Sequence, residues 1–151
     1  MSDSNEREEH YYYPGGVPVS PQARRVGFEM PVYVSHTVWA NQCIWKGSQL
    51  IGTNTDRRIV ELITAVWEGM LKRLAADRAD EGFVWFPFKF WYWPATAQMV
   101  NRKPPKKKRI RLGARLFLDP ITDEPWLYVF DTNKDDGSEL EKADTKENSD
   151  G

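Results

Sequence analysis

The sequence predicts an α+β fold, a three-stranded antiparallel meander with helices packed on one face. Three stretches carry the prediction. Residues 83–93 hold eight aromatic side chains in eleven positions, and flat, bulky side chains suit a pleated, half-buried surface. Residues 108–118 alternate, with Ile110, Leu112, Ala114, Leu116 and Leu118 on one face and Arg109, Arg111, Gly113, Arg115 and Phe117 on the other. Residues 56–79 set Ile59, Leu62, Ile63, Val66, Trp67, Met70, Leu71 and Leu74 at helical spacing. After one short strand, the two helices precede the three strands of the meander, and there is no repeated strand–helix–strand alternation. A doubly wound parallel sheet is therefore disfavoured.

In chain order, residues 1–25 combine Tyr11-Tyr12-Tyr13 with Pro14, Gly15, Gly16, Pro18 and Pro21 and show no apolar periodicity. They read as a flexible N-terminal arm. Its tyrosines could dock on a sheet face. Met30 to Val34 is a short strand, with Pro31 marking an edge or a start. Ser35 or Thr37 can cap a short helix running to about Trp45, and 47–54 is a loop. Thr55 or Asp56 suits the N-cap of the long helix, which Gly82 ends. The strand 83–93 follows and Pro94 closes it. A loop ending in Arg102-Lys103-Pro104-Pro105-Lys106 leads to strand 108–118, and turn residues 119–125 lead to strand 126–130. The strands are expected to join by hairpin-length connections. Residues 26–131 form one domain, and 132–151 form a polar, acidic, disordered tail.

With 151 residues the chain supports one core and not two. Its net charge of −1 hides segregation: 102–115 carries eight Lys and Arg and no acid, whereas 131–151 carries eight acids against three Lys. Cys43 is the single cysteine, so a disulfide within the chain and a Cys-rich zinc site are excluded. A reducing cytoplasm is the matching compartment. No apolar run approaches the ~20 residues that span a bilayer, and the acidic start lacks the basic and apolar regions of a signal peptide.

Alternation gives the aromatic strand two unlike faces. Phe86, Phe88 and Phe90 turn toward the helix. Trp85, Trp91 and Trp93 turn the other way, beside Arg109, Arg111 and Arg115, with Trp126 and Tyr128 on the next strand. Trp, Tyr and Arg are interface residue types, and a guanidinium over Trp is a favourable pair. The face is covered by this chain's own arm or short helix, by a protein partner or a second copy, or by nucleic acid. In the last reading Arg102, Lys103, Lys106, Lys107, Lys108 and Arg109 hold phosphates beside aromatic platforms.

Chemistry is sparsely represented. No Gly-rich phosphate loop has a recognised spacing. His36 and Cys43, if on one helix, lie ~10 Å apart along its axis, too far for a nucleophile and its base. Glu61, Glu68, Asp119, Asp123 and Glu124 sit on a solvated helix face or in a turn. No catalytic residue, cofactor or metal ligand is assigned, and the chain reads as a binding protein and not an enzyme.

The stretch Val26-Gly27-Phe28-Glu29-Met30-Pro31-Val32-Tyr33-Val34, followed by Thr37-Val38-Trp39, resembles the start of a family of small plasmid- and phage-borne bacterial proteins known as domain of unknown function 6573. Trp67 and Met70-Leu71 fit the long helix of that group, and the likeness covers about residues 23–131. The all-aromatic strand and the Pro-Pro-Lys-Lys-Lys loop depart from its pattern. The resemblance implies a mobile-element setting and supplies no site residues. The expected role is a macromolecule-binding accessory protein, contacting a protein partner through the Trp/Arg face. The alternative is single-stranded nucleic acid on the same face and loop 102–109.

Overall fold

A computed structural model describes residues 16–75 and 85–135 of the chain. The architecture is α+β, with a five-stranded mixed sheet and three helices, and this corrects the simpler meander expected from sequence. The elements are β1 (Gly16–Pro18), α1 (Ser20–Val26), β2 (Val32–Ser35), α2 (His36–Val38, continued by a π turn over Trp39–Cys43), α3 (Thr55–Ala75), β3 (Trp85–Tyr92), β4 (Lys108–Leu118) and β5 (Pro125–Asp131). The strand order is β1-β2-β5-β4-β3. β3, β4 and β5 are antiparallel neighbours, as alternation predicts. β2 runs parallel to β5, pairing Val34 with Val129, and β1 adds antiparallel to β2.

Several boundaries move. Residues 16–25, expected within a flexible arm, form β1 and most of α1. Pro21 stands at the first turn of α1, where its locked φ and missing N–H cost least. The tyrosine arm, residues 76–79 of the expected helix and the acidic tail beyond residue 135 lie outside the described residues. The β3–β4 connection is no tight hairpin: it spans residues 93–107 and contains its own turn, with reciprocal backbone bonds between Val100 and Lys103 and positive φ at Asn101 and Arg102. The cap of α3 is Asn54, whose Oδ1 accepts from Arg57 N–H at 2.8 Å, and not Thr55 or Asp56. Asp56 instead pairs with Arg25 and Gln22 of α1. Those two donors, Arg25 first, hold its carboxyl below the usual carboxylate range.

The core lies between α3 and one sheet face. Ile59, Leu62, Ile63 and Val66 meet Phe86, Phe88, Phe90, Leu112, Ala114, Leu127, Val129, Val32 and Val34, all buried. Gly69 lets the Phe86 ring approach, since a β-carbon there would stand 2.9 Å from it. Leu71 and Leu74, counted in the helix stripe from sequence, are exposed among the described residues. Ser35 caps α2, its Oγ accepting from Val38 N–H at 3.1 Å. The same hydroxyl donates to Asp135 at 2.6 Å, and Asp135 also accepts from Asp131 N–H, so the parallel ends of β2 and β5 are tied together.

One buried charge organises the far end of the sheet. Arg58 is 3% exposed, and its guanidinium donates to three backbone carbonyls: Asn41 at 3.0 Å, Cys43 at 3.2 Å and Trp93 at 2.7 Å. The Trp45 ring lies 5.0 Å beneath it. Its donors, aimed at three separate carbonyls, make a clamp that no lysine reproduces. Arg58→Met should lower unfolding stability in a urea titration by about 3 kcal/mol, because three carbonyls lose charge-assisted partners. A loss below about 1 kcal/mol would mean that the clamp is incidental.

Candidate functional site

The second sheet face divides into a closed half and an open half. In the closed half, β5 presents Trp126, Tyr128 and Phe130 at 5%, 1% and 7% exposure, packed with Tyr33 and Phe117. Phe117 stacks on Trp126 with centroids 4.6 Å apart, and Tyr128 stacks on Phe130 at 6.2 Å. Gly113 makes this packing achievable, since a β-carbon there would stand 2.6 Å from the Phe130 ring. Trp126 and Tyr128 were expected on this face, and they form a second small core there.

The open half is built on β3 and β4. The register sets Trp85 opposite Arg115, Lys89 opposite Arg111 and Trp91 opposite Arg109, so Trp85, Trp91, Arg109, Arg111 and Arg115 lie on two paired strands. Trp85 and Trp91 are 45% and 57% exposed. Lys89, Arg109 and Arg111 are exposed as well. The Arg109 guanidinium lies 5.9 Å from the Trp91 ring, a pairing that orders both groups and leaves much of the indole bare. Arg115 differs: half-buried, it stacks over Phe117 at 5.0 Å and belongs with the closed half.

Trp93 departs from the expectation. β3 ends at Tyr92, and Trp93 lies beyond it. Its indole N–H donates to Pro105 O at 2.6 Å, and Lys107 sits 4.6 Å above its ring. Trp93 therefore anchors the basic loop instead of offering a platform. In that loop Arg102, Lys103, Lys106 and Lys107 are all exposed, with Arg102 and Lys103 on the small turn. From Trp85 to Leu118 the chain carries nine Lys and Arg and no acid.

A cleft of about 530 Å³ opens where β3 ends and β4 begins. It is lined by Trp39, Asn41, Tyr92 and Thr96, together with Lys46, Lys108 and Lys134. Two of its segments are joined by Lys46 N–H donating to Ala95 O at 2.7 Å, and just beyond it Ser48 N–H donates to Ala97 O at 2.9 Å. Sequence reasoning included Lys108 and missed Lys46, Lys134, Trp39 and Tyr92. These come from four separate elements, and no local pattern joins them.

Catalytic groups do not converge among the described residues. His36 is exposed, whereas Cys43 is fully buried with its thiol pushed up to about 12 by desolvation. Glu61 pairs with Arg57 at 3.7 Å, and Asp119 caps a turn through Ile121 and Thr122 N–H. A cleft beside Trp67 and Met70 is lined by Glu29 and Glu124 and is largely apolar. No group of three or more His, Cys, Asp or Glu among the described residues could hold a metal, and no described helix is long and apolar enough to cross a membrane. Comparison with protein-family models, curated proteins and solved structures finds no match.

The division of the face has measurable consequences. Trp91→Ala should leave stability within about 0.5 kcal/mol of the parent, as for an exposed side chain. Tyr128→Ala should cost about 3 kcal/mol or more, because it empties a packed site. Equal losses in urea titrations would erase the distinction between the halves. The Cys43 thiol should resist a thiol reagent in the native protein up to pH 9 and react once denatured, because burial keeps it protonated. Rapid native labelling would contradict that burial.

Proposed function

We propose that this protein acts by binding and not by catalysis, and that it holds an extended single-stranded nucleic acid across β3 and β4. The observation that carries the reading is the pair of exposed tryptophans set among cations, in a stretch of chain that contains no acid. Trp85 and Trp91 lie six residues apart on one strand face, about 20 Å, with Lys89 between them. Bases stack on such platforms at ~1–3 kcal/mol each. Lys89, Arg109 and Arg111 flank the rings, and Arg102, Lys103, Lys106, Lys107 and Lys108 extend the positive surface for phosphates. Recognition would be tolerant of sequence and sensitive to salt.

A protein partner is the second reading, and the Trp–Arg pairing at 91 and 109 favours it as a hot-spot composition. The face nevertheless lacks a continuous apolar centre, because Trp126, Tyr128 and Phe130 are already buried. A partner docking here would therefore have to be acidic. The resemblance to plasmid- and phage-borne proteins supports a mobile element as the source and the bacterial cytoplasm as the place of action, with a host-defence inhibitor or regulator as the protein-binding version.

Fluorescence anisotropy with a labelled oligothymidylate tests the first reading. Affinity should fall steeply between 50 and 200 mM salt, and each cation replaced among Lys106, Lys107, Lys108 and Arg109 should reduce the logarithmic salt slope by ~0.7. Trp91→Ala should weaken binding about 5- to 100-fold, as loss of one stacked base does. Unchanged affinity after all four cations are made neutral would remove the nucleic-acid reading.

A further inference from the structure

We infer that the cleft at the start of β4 is a binding site for a phosphorylated nucleoside, with Lys46, Lys108 and Lys134 receiving the phosphate and Trp39 and Tyr92 bordering the base. The three lysines reach the cleft from unrelated places: the loop after α2, the first residue of β4 and the turn after β5. Among the described residues no carboxylate lines it, and no ion pair occupies any of the three ammonium groups. Three lysines lining one cleft give it a positive potential that favours an anion.

The walls are held in place before any ligand arrives. Arg58 fixes the carbonyls of Asn41 and Cys43 on one side and of Trp93 on the other, flanking the cleft residues Asn41, Ile44, Tyr92 and Pro94. Lys134 is set by its own N–H, which donates to Asp131 at 3.1 Å within the tied turn. The Tyr92 ring is parallel to Phe90 at 6.3 Å, which fixes its orientation. Simple phosphate would use the lysines alone. The aromatic border, with the Asn41 and Thr96 side chains, adds what a nucleobase uses: apolar surface and hydrogen-bonding edges.

The cleft also joins the proposed strand path. Lys108 and Arg109 are consecutive on β4 and point to opposite faces, so the cleft and the Trp91 platform meet at one end of the strand. This inference deepens the nucleic-acid reading by giving the bound strand a terminal subsite. It can nevertheless hold if the open face binds nothing.

The test is a titration of the full chain with thymidine monophosphate, inorganic phosphate and thymidine, followed by amide shifts of Ala95, Thr96 and Lys108. Saturable shifts with the monophosphate are expected, with phosphate at least tenfold weaker and thymidine weaker still. Lys46→Ala with Lys134→Ala should weaken the monophosphate at least tenfold, and Ile121→Ala, exposed in the turn beyond the other end of β4, should leave it unchanged. No saturable shift at the cleft, equal affinity for phosphate and monophosphate, or full binding by the double lysine variant would each overturn the inference. Cleft binding without oligothymidylate binding would leave it standing and remove the proposed function instead.

Discussion

A buried guanidinium hydrogen-bonded to three backbone carbonyls is the constraint on which the functional end of this molecule depends. Arg58 is buried against the Trp45 ring and spends its donors on the carbonyls of Asn41, Cys43 and Trp93. Burial draws its pKa below the usual value, yet an arginine starts so high that it stays charged. Three carbonyl dipoles therefore do the work that one counter-ion would do elsewhere. Because those carbonyls belong to the π turn and to the exit of β3, the charge fixes both walls of the lysine cleft. It also fixes where the basic loop departs.

The sheet is loaded unequally, and that inequality creates the open surface. One face is sealed by α3 and α1. On the other, Trp126, Tyr128 and Phe130 of β5 are buried and pack with Tyr33 and Phe117 above a glycine in β4. β3 lies at the sheet edge, beyond that aromatic row, so Trp85 and Trp91 remain accessible. Pro87 in β3 removes one backbone donor, which suits an edge strand and discourages a further strand from pairing there.

Local pattern foretold much of this. The alternation of 108–118 and the aromatic run of 83–93 gave the two faces, because period two leaves little freedom once a strand is recognised, while the register came only with the fold. The α3 stripe was legible for the same reason. What local pattern could not supply was long-range pairing. The parallel contact of β2 with β5 joins segments about a hundred residues apart, and a three-residue β1 carries too little sequence to announce itself. Alternation carried Trp93 one residue past the end of β3, and its indole bond to Pro105 O is a contact that local pattern does not announce. Nothing local sets Arg58 apart from the other charged residues of α3. Its burial follows only from three carbonyls arriving from elsewhere in the chain.

The central claim is that the open half of the face touches a single strand directly. Photocrosslinking tests this most directly, using a single-stranded oligonucleotide that carries 5-bromodeoxyuridine, with the adducts mapped by mass spectrometry. Adducts on Trp85 or Trp91, lost when unlabelled oligothymidylate competes, are the result this structure predicts. Adducts confined to the α3 side of the molecule, or none at saturating oligonucleotide, would contradict it.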